Sequence, residues 1–205
     1  MRITKYTHAC VRVERDGRVL VIDPGTWSEP GALVGADAVL VTHEHVDHVD
    51  VMRLRGVGVP VYAPEGAALP GLDVIAPGLD VIRVSSGEDF TAAGFRVTAV
   101  GGRHATIYGG EPDCANLGYV VDDDLYHPGD SLALPGRPVR TLLVPAQGSW
   151  LKLAEAIDFV RAIGPARTFP IHDAQVNDRG RASINGWFTE RTDAGYRWLA
   201  PRETA

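Results

Sequence analysis

Residues 43 to 48 read His43-Glu44-His45-Val46-Asp47-His48 and follow a short apolar run, Ala38-Val39-Leu40-Val41. Neutral imidazole and carboxylate are ligands that zinc, manganese and iron accept. On an extended segment alternate residues point the same way, so His43, His45 and Asp47 can converge while His48 points elsewhere. One short loop therefore has the ligand types to serve two adjacent metal ions. The plainer reading is a polar surface loop that happens to be rich in histidine. Against it, the chain has seven histidines and three of them fall in this hexapeptide. Clustering of that kind is the compositional mark of metal binding.

The pattern H-x-H-x-D-H resembles the signature of the metallo-β-lactamase fold superfamily. That family needs a further histidine for a first metal, a bridging aspartate, and a last histidine for a second metal. Residues stand in the right order: His104 in Gly102-Arg103-His104-Ala105, Asp130 in His127-Pro128-Gly129-Asp130-Ser131, and His172 in Pro170-Ile171-His172-Asp173. Thr7-His8-Ala9-Cys10, Ile22-Asp23-Pro24 and Trp150-Leu151-Lys152 look like the small, single-domain branch that includes ascorbate-6-phosphate lactonase-like hydrolases. The likeness spans nearly the whole chain. It is specific for fold and metal site and says little about substrate.

The resemblance implies a four-layer αββα sandwich of α/β (α+β) class, with residues 1–205 forming one domain. It assigns His43, His45 and His104 to one metal, Asp47, His48 and His172 to the other, and Asp130 as the bridge. Two divalent ions, zinc first and manganese or iron as alternatives, would share a bridging water, make hydroxide available near neutral pH and polarise a carbonyl or phosphoryl oxygen. Asp47 is the catalytic candidate, orienting the nucleophile or accepting its proton. Taken singly, Asp130 would be unconvincing, because Gly-Asp is common in turns. His104 and His172 taken singly would read as ordinary surface or core histidines.

Candidates for substrate contact are His8, Trp27, Asn116, Trp150 and Lys152, with Tyr108 beside them. Each has a plainer role. Histidine also hydrogen-bonds neighbouring loops, aromatics more often serve the core, and lysine at a helix start is usually solvated. His127 reads as structural. Asp23 either accepts from a metal-bound imidazole or caps a turn. Cys10 and Cys114 make no disulfide framework and read as reduced, buried hydrophobes.

The elements that must carry these residues begin with β structure. The segment 1–6 reads as a strand, and Val11–Val13 and Arg18–Ile22 flank Asp16-Gly17, a hairpin turn. Ala38 to Thr42 is a buried strand that delivers the metal loop, and Val46 to Leu54 reads as a short helix. Further strands are expected at 60–62, 80–84 and 95–100, the last leading to His104. A second β-rich half begins at Leu117–Val121, turns at Asp122-Asp123-Asp124, and continues through Leu125–His127 into Asp130. The three aspartates lack the spaced ligands and glycine of a calcium loop. Residues 140–144 and 167–170 are strands, the second presenting His172. Leu151 to Ile163 is the clearest helix, with Leu153, Ala154, Ile157, Val160 and Ile163 at 3/4 spacing and a Gly164-Pro165 stop. Ala182 to Arg191 forms a last helix with Ile184, Trp187 and Phe188 on one side. No repeat between the halves is visible.

The chain of 205 residues carries a net charge of -6, with 45% hydrophobic and 22% charged residues, ordinary values for a globular protein. No Lys/Arg stripe provides the footprint of a nucleic-acid binder, and no apolar run approaches a membrane span of ~20 residues. The expected partner is a small-molecule substrate, not nucleic acid or membrane, in the cytoplasm; a homo-oligomer is compatible. The leading function is a metal-dependent hydrolase acting on a small ester, lactone or phosphodiester. The alternatives are a di-iron redox enzyme on the same fold and a non-catalytic accessory member. Against the first, such relatives usually carry glutamate where this chain has His45, often with an attached flavin domain. Against the second stands the complete ligand set. β-Lactamase activity itself is not expected, because the small-branch segments differ from those of the antibiotic-hydrolysing enzymes.

Overall fold

The computed structural model describes residues 1–69 and 80–205. Among them, two six-stranded sheets carry the architecture. The first runs β1 (Arg2–Lys5), β2 (Val11–Arg15), β3 (Arg18–Ile22), β4 (Ala38–Leu40), β5 (Val61–Pro64) and β6 (Val81–Val84). The second runs β7 (Asp89–Ala92), β8 (Phe95–Arg103), β9 (Ala115–Val121), β10 (Leu125–His127), β11 (Thr141–Pro145) and β12 (Arg167–Ile171). Each sheet opens as an antiparallel meander and ends in parallel strands. The switch falls after β3 in the first sheet and after β10 in the second. The halves therefore share a topological plan that their sequences do not reveal as a repeat.

Patterning explains the layers. In β3, Leu20 and Ile22 join the core between the sheets while Val19 and Val21 face outward into a second apolar cluster. In β9, Leu117, Tyr119 and Val121 enter the inter-sheet core and Val120 faces the opposite side. Strands covered on both faces read as continuous apolar runs. Among the described residues, the outer face of the first sheet is covered by a 3₁₀ turn at Pro30–Leu33 and the short helix α1 (Val51–Leu54). The outer face of the second is covered by α2 (Leu153–Ile163) and α3 (Asp178–Arg191). The result is the four-layer αββα sandwich. No helix among the described residues is long and apolar enough to cross a membrane.

Local chemistry sets the boundaries. Asp16 and Gly17 both take positive φ, 52° and 76°, as a two-residue hairpin requires. Asp122 and Asp123 do the same at 52° and 53°, and the three aspartates pair with Arg15, Arg96, Arg137 and Arg140. Helix α2 ends at Gly164 in the left-handed region, φ 62°. Helix α3 starts four residues earlier than periodicity suggests. Its cap is Asn177, whose side chain accepts from the Gly180 N–H, and its polar first turn carries no apolar signal. Trp187, expected on the packed side of α3 with Phe188, is instead half-exposed beneath the Arg191 guanidinium. Strand β7 carried no distinct signal in the sequence.

Candidate metal centre

Every residue of the centre follows the C-terminal end of a strand: His8 after β1, Asp23 after β3, the hexapeptide after β4, His104 after β8, Asp130 after β10, Trp150 after β11 and His172 after β12. Loops at strand C-termini are where α/β sheets commonly gather ligand-binding groups. Three of these residues sit in the left-handed region: His8 at φ 69°, Asp23 at 51° and His172 at 56°. Such strain costs about 1–3 kcal/mol per residue and clusters at functional sites.

Two groups of side chains have donor atoms within 4.8 Å of one another: His43, His45, His104 and Asp130, and His8, Asp47, His48 and His172. Asp130 reaches into both. Its Oδ2 lies 3.3 Å from His104 Nε2 and 3.0 Å from His172 Nε2, and its Oδ1 lies 3.1 Å from His48 Nε2. Asp47 Oδ2 lies 3.8 Å from His172 Nε2 and 4.0 Å from His48 Nε2. His43 Nε2 is 3.1 Å from His45 Nδ1. All seven residues assigned to metals by resemblance thus lie in one cluster, His45 and Asp47 half-buried and the other five buried. Glu44 turns away and accepts from the Ala68 N–H.

The hydrogen bonds behind the cluster aim the imidazoles. Asp23, fully buried, accepts the Thr42 N–H on Oδ1 (2.8 Å). On Oδ2 it accepts the Thr42 hydroxyl (2.7 Å) and His48 Nδ1–H (2.7 Å). It therefore orients an imidazole and braces the start of the metal loop together. Because the Thr42 hydroxyl donates to Asp23, it accepts from His43 Nδ1–H at 3.0 Å. His104 Nδ1–H donates to the Ala105 carbonyl at 2.6 Å. In all three histidines the Nδ1 hydrogen bond turns Nε2 toward the side of Asp130, the orientation a metal ligand needs. Nothing in the sequence marks the side chain of Thr42, one residue before the hexapeptide, for this role.

Charge follows from these contacts. Burial opposes ionisation of Asp130, but His48, His104 and His172 outweigh it and hold the carboxyl well below its ordinary range. Asp47 likewise falls to about 2, burial being overcome by the hydrogen bond from His8 and the charge of His48. His48 rises well above an ordinary imidazole. Burial opposes its charge, but Asp130 and Asp23 exceed that effect. His43 and His45 move the other way, through burial first and neighbouring histidines second.

The substrate candidates divide. Trp27 and Trp150 line a pocket of about 160 Å³ over the cluster, with His45, Asp47, His104, Ile107, Asp130, His172 and Gln175 among its walls. Trp150 has a second role, because its indole N–H donates to Asp130 Oδ2 at 3.1 Å. His8 is fully buried. Its Nε2–H donates to Asp47 Oδ2 at 3.0 Å, while Nδ1 accepts from the Ala174 N–H at 3.4 Å. It holds the Asp47 carboxylate and is not among the pocket walls. Asn116 is also fully buried, donating to the Pro128 carbonyl and accepting the Asp130 N–H, both at 2.9 Å. It fixes the turn that carries Asp130. The Lys152 side chain is 84% exposed beside Glu155 and is not among the pocket walls. Ile107 and Gln175 carried no sequence signal; only the folding of their loops brings them to the pocket. His127 is satisfied on both ring nitrogens, by Ala9 and Gly129. Cys10 and Cys114 are free, and Cys114 Sγ stands 3.9 Å from His45 Nε2.

The residues fit a metal. Buried His48 Nε2, His104 Nε2, His172 Nδ1 and Asp130 Oδ1 have no hydrogen-bond partner. The approaches of His48 and His104 to Asp130, 3.1 and 3.3 Å, leave these atoms without an aligned hydrogen bond, and imidazole with carboxylate is the donor set for zinc, manganese or iron.

Comparison with known proteins agrees. The family model described as a beta-lactamase superfamily domain matches residues 2–172. A protein of Mycobacterium tuberculosis is 38% identical, covering 100% of this chain and 99% of that relative. A metal-dependent hydrolase of Methanopyrus kandleri is 32% identical over 84% of both chains. Among solved structures, a metallo hydrolase from the archaeon Ignicoccus hospitalis superposes with a TM-score of 0.78, covering 100% of this chain and 97% of its own at 19% identity. At that identity the likeness concerns the fold alone.

Proposed function

The chain belongs to the beta-lactamase superfamily domain family and is a metal-dependent hydrolase, and we propose that it uses two divalent cations, zinc first, to cleave a small ester, lactone or phosphodiester. The observation that carries this reading is the position of Asp130, whose carboxylate meets His104 of one proposed ligand set and His48 and His172 of the other. His43, His45 and His104 would hold one ion, Asp47, His48 and His172 the other, with Asp130 between them. Bound there, the ions supply hydroxide at neutral pH and a Lewis acid for the substrate oxygen.

The protein residues do the positioning. Asp23 and Thr42 orient His48 and His43, and Asn116 and Trp150 orient Asp130. His8 holds one oxygen of Asp47. A carboxyl kept near 2 is a weak base at pH 7, which favours Asp47 as a group that orients the nucleophile over one that takes its proton. The reaction is tested by stripping the protein with chelator and restoring zinc or manganese anaerobically, without reductant. Hydrolysis of an activated ester, lactone or phosphodiester is the expected result. Activity appearing only with iron plus oxygen or an electron donor would replace this reading with the di-iron alternative.

A further inference from the structure

We infer that the part of the substrate not undergoing reaction is uncharged, flat and apolar, a single ring or a group of that size, seated against Trp27, Ile107 and Trp150. This rests on the hydrolase reading for the reacting bond and adds the class of group attached to it.

Three observations carry the inference. The first is the walls. Beyond the metal-site residues, the pocket is lined by Trp27, Ile107, Gly148, Ser149, Trp150 and Gln175, and none of its walls is Lys or Arg. The nearby cations in the sequence are engaged elsewhere. Lys152 extends into solvent near Glu155, Arg103 pairs with Asp113, and Lys5 is buried on Asp173. Residues 70–79 contain neither Lys nor Arg. An anionic group held away from the metals would meet Asp47 and Asp130 with no cationic side chain among the pocket walls, and an unpaired charge taken out of water is costly.

The second is rigidity. The loop bearing Trp27 is held from behind by Arg53, whose guanidinium donates to the carbonyls of Gly25 (3.2 Å), Thr26 (3.0 Å) and Ser28 (2.5 Å). The Thr26 N–H donates to the Val46 carbonyl at 2.8 Å, tying this wall to the metal loop. Gly25 packs so tightly on that loop that a Cβ would stand 1.8 Å from the Asp47 carbonyl oxygen. Trp150 is fixed by its bond to Asp130 and lies over Gly148, where a Cβ would come within 2.8 Å of Nε1. The Trp150 indole and the loop beneath Trp27 are held in place by the scaffold, so a flat group binds without first ordering them.

The third is size and exposure. Trp27 and Ile107 are 43% and 50% exposed, large apolar side chains left open at the pocket. The pocket, about 160 Å³ in all, must also admit the reacting group beside the metal-site residues, which limits the attached group to about a single ring.

The test compares three esters on zinc-loaded protein: phenyl acetate, 4-acetoxybenzamide, and its anionic counterpart 4-acetoxybenzoate. Both neutral esters should exceed the anion in kcat/KM by at least about tenfold. Trp27→Ala should lower kcat/KM for phenyl acetate by about tenfold, chiefly through KM, and leave ethyl acetate, which has no ring, nearly unchanged. Trp27→Phe should retain most of the preference. An anionic ester turned over as well as its neutral counterpart would overturn the inference, as would a Trp27→Ala loss shared equally by ethyl acetate. A second measurement needs neither metal nor turnover. Benzyl alcohol added to metal-free protein should shift the indole N–H resonances of Trp27 and Trp150, and Trp27→Ala should weaken the response at Trp150. If those shifts appear but no ester is hydrolysed, the apolar subsite stands and the assigned bond falls. If the indole signals do not move, the subsite falls even where hydrolysis is seen.

Discussion

Asp130 touches side chains from both clusters, so its charge cannot be removed without affecting both. Asp130→Asn keeps the shape and the backbone N–H bond to Asn116 but loses the negative charge and replaces one acceptor oxygen with an NH2 donor. Metal content should fall and turnover should drop at least ~100-fold, since even supporting residues at metal sites are worth about 10–100-fold. Elemental analysis with a rate assay checks this, and unchanged occupancy would contradict the bridging role. Asp23→Asn should lower metal affinity about 10–100-fold through misorientation of His48, measured by competition with a chromophoric chelator. Proton balance follows from the same contacts. Asp130 and Asp23 raise His48 above its ordinary range, so near pH 7 the metal-free protein carries a proton there that a cation must expel. Metal affinity should therefore weaken as pH falls. Proton release on binding should diminish once pH rises through the elevated His48 value. Calorimetry in buffers of different ionisation heat measures that release, and binding without it would contradict the protonated state of His48.

At the scale of elements, the centre depends on turns that only certain residues can make. Gly129 sits at φ 64° in the turn between β10 and Asp130, and an added Cβ would lie 2.4 Å from Asn116 Oδ1 and 2.7 Å from Thr42 Cβ. Gly129→Ala thus strains the backbone and pushes apart the two groups that hold Asp130 and His43. It should destabilise the metal-free protein on the order of 3 kcal/mol and reduce metal content, read by thermal unfolding and elemental analysis. A wild-type melting temperature and full occupancy would show that the turn has slack. Strand recognition was strong where both faces are covered, as in β3 and β9, because the whole segment is apolar. Helix α3 is legible only from Ala182 onward because its first turn is polar and is set by an Asn cap.

Across the whole molecule, the two sheets are tied together next to the metal centre by a buried ion pair. Lys5 of β1 donates to Asp173, the residue after His172, at 2.9 Å, with side-chain exposures of 1% and 8%. The His172 N–H donates to the His8 carbonyl at 3.2 Å, so the β1 end of the first sheet holds the loop of the second. Lys5→Met leaves a carboxylate unpaired in the interior and should cost about 3–5 kcal/mol. Adding Asp173→Leu should recover most of that loss. Urea unfolding of metal-free protein distinguishes the cases, and a double variant as unstable as the single one would contradict the ion-pair account.

What the amino-acid order alone determined is local. The hexapeptide is legible because its ligands are consecutive and its strand is apolar, and most strands and α2 are legible because periodicity reports which face is covered. His104, Asp130 and His172 were picked out by resemblance, since a single histidine or Gly-Asp carries little information of its own. Only the tertiary structure decided how those residues meet. It put Asp130 between two clusters and turned His8 and Asn116 from substrate candidates into supports for Asp47 and Asp130. It sent Lys152 into solvent, brought Ile107 and Gln175 to the pocket, and paired Lys5 with Asp173. These outcomes depend on which loops leave the same edge of two packed sheets. That is set by strand pairing and register between residues far apart in sequence, and no spacing within one segment encodes it.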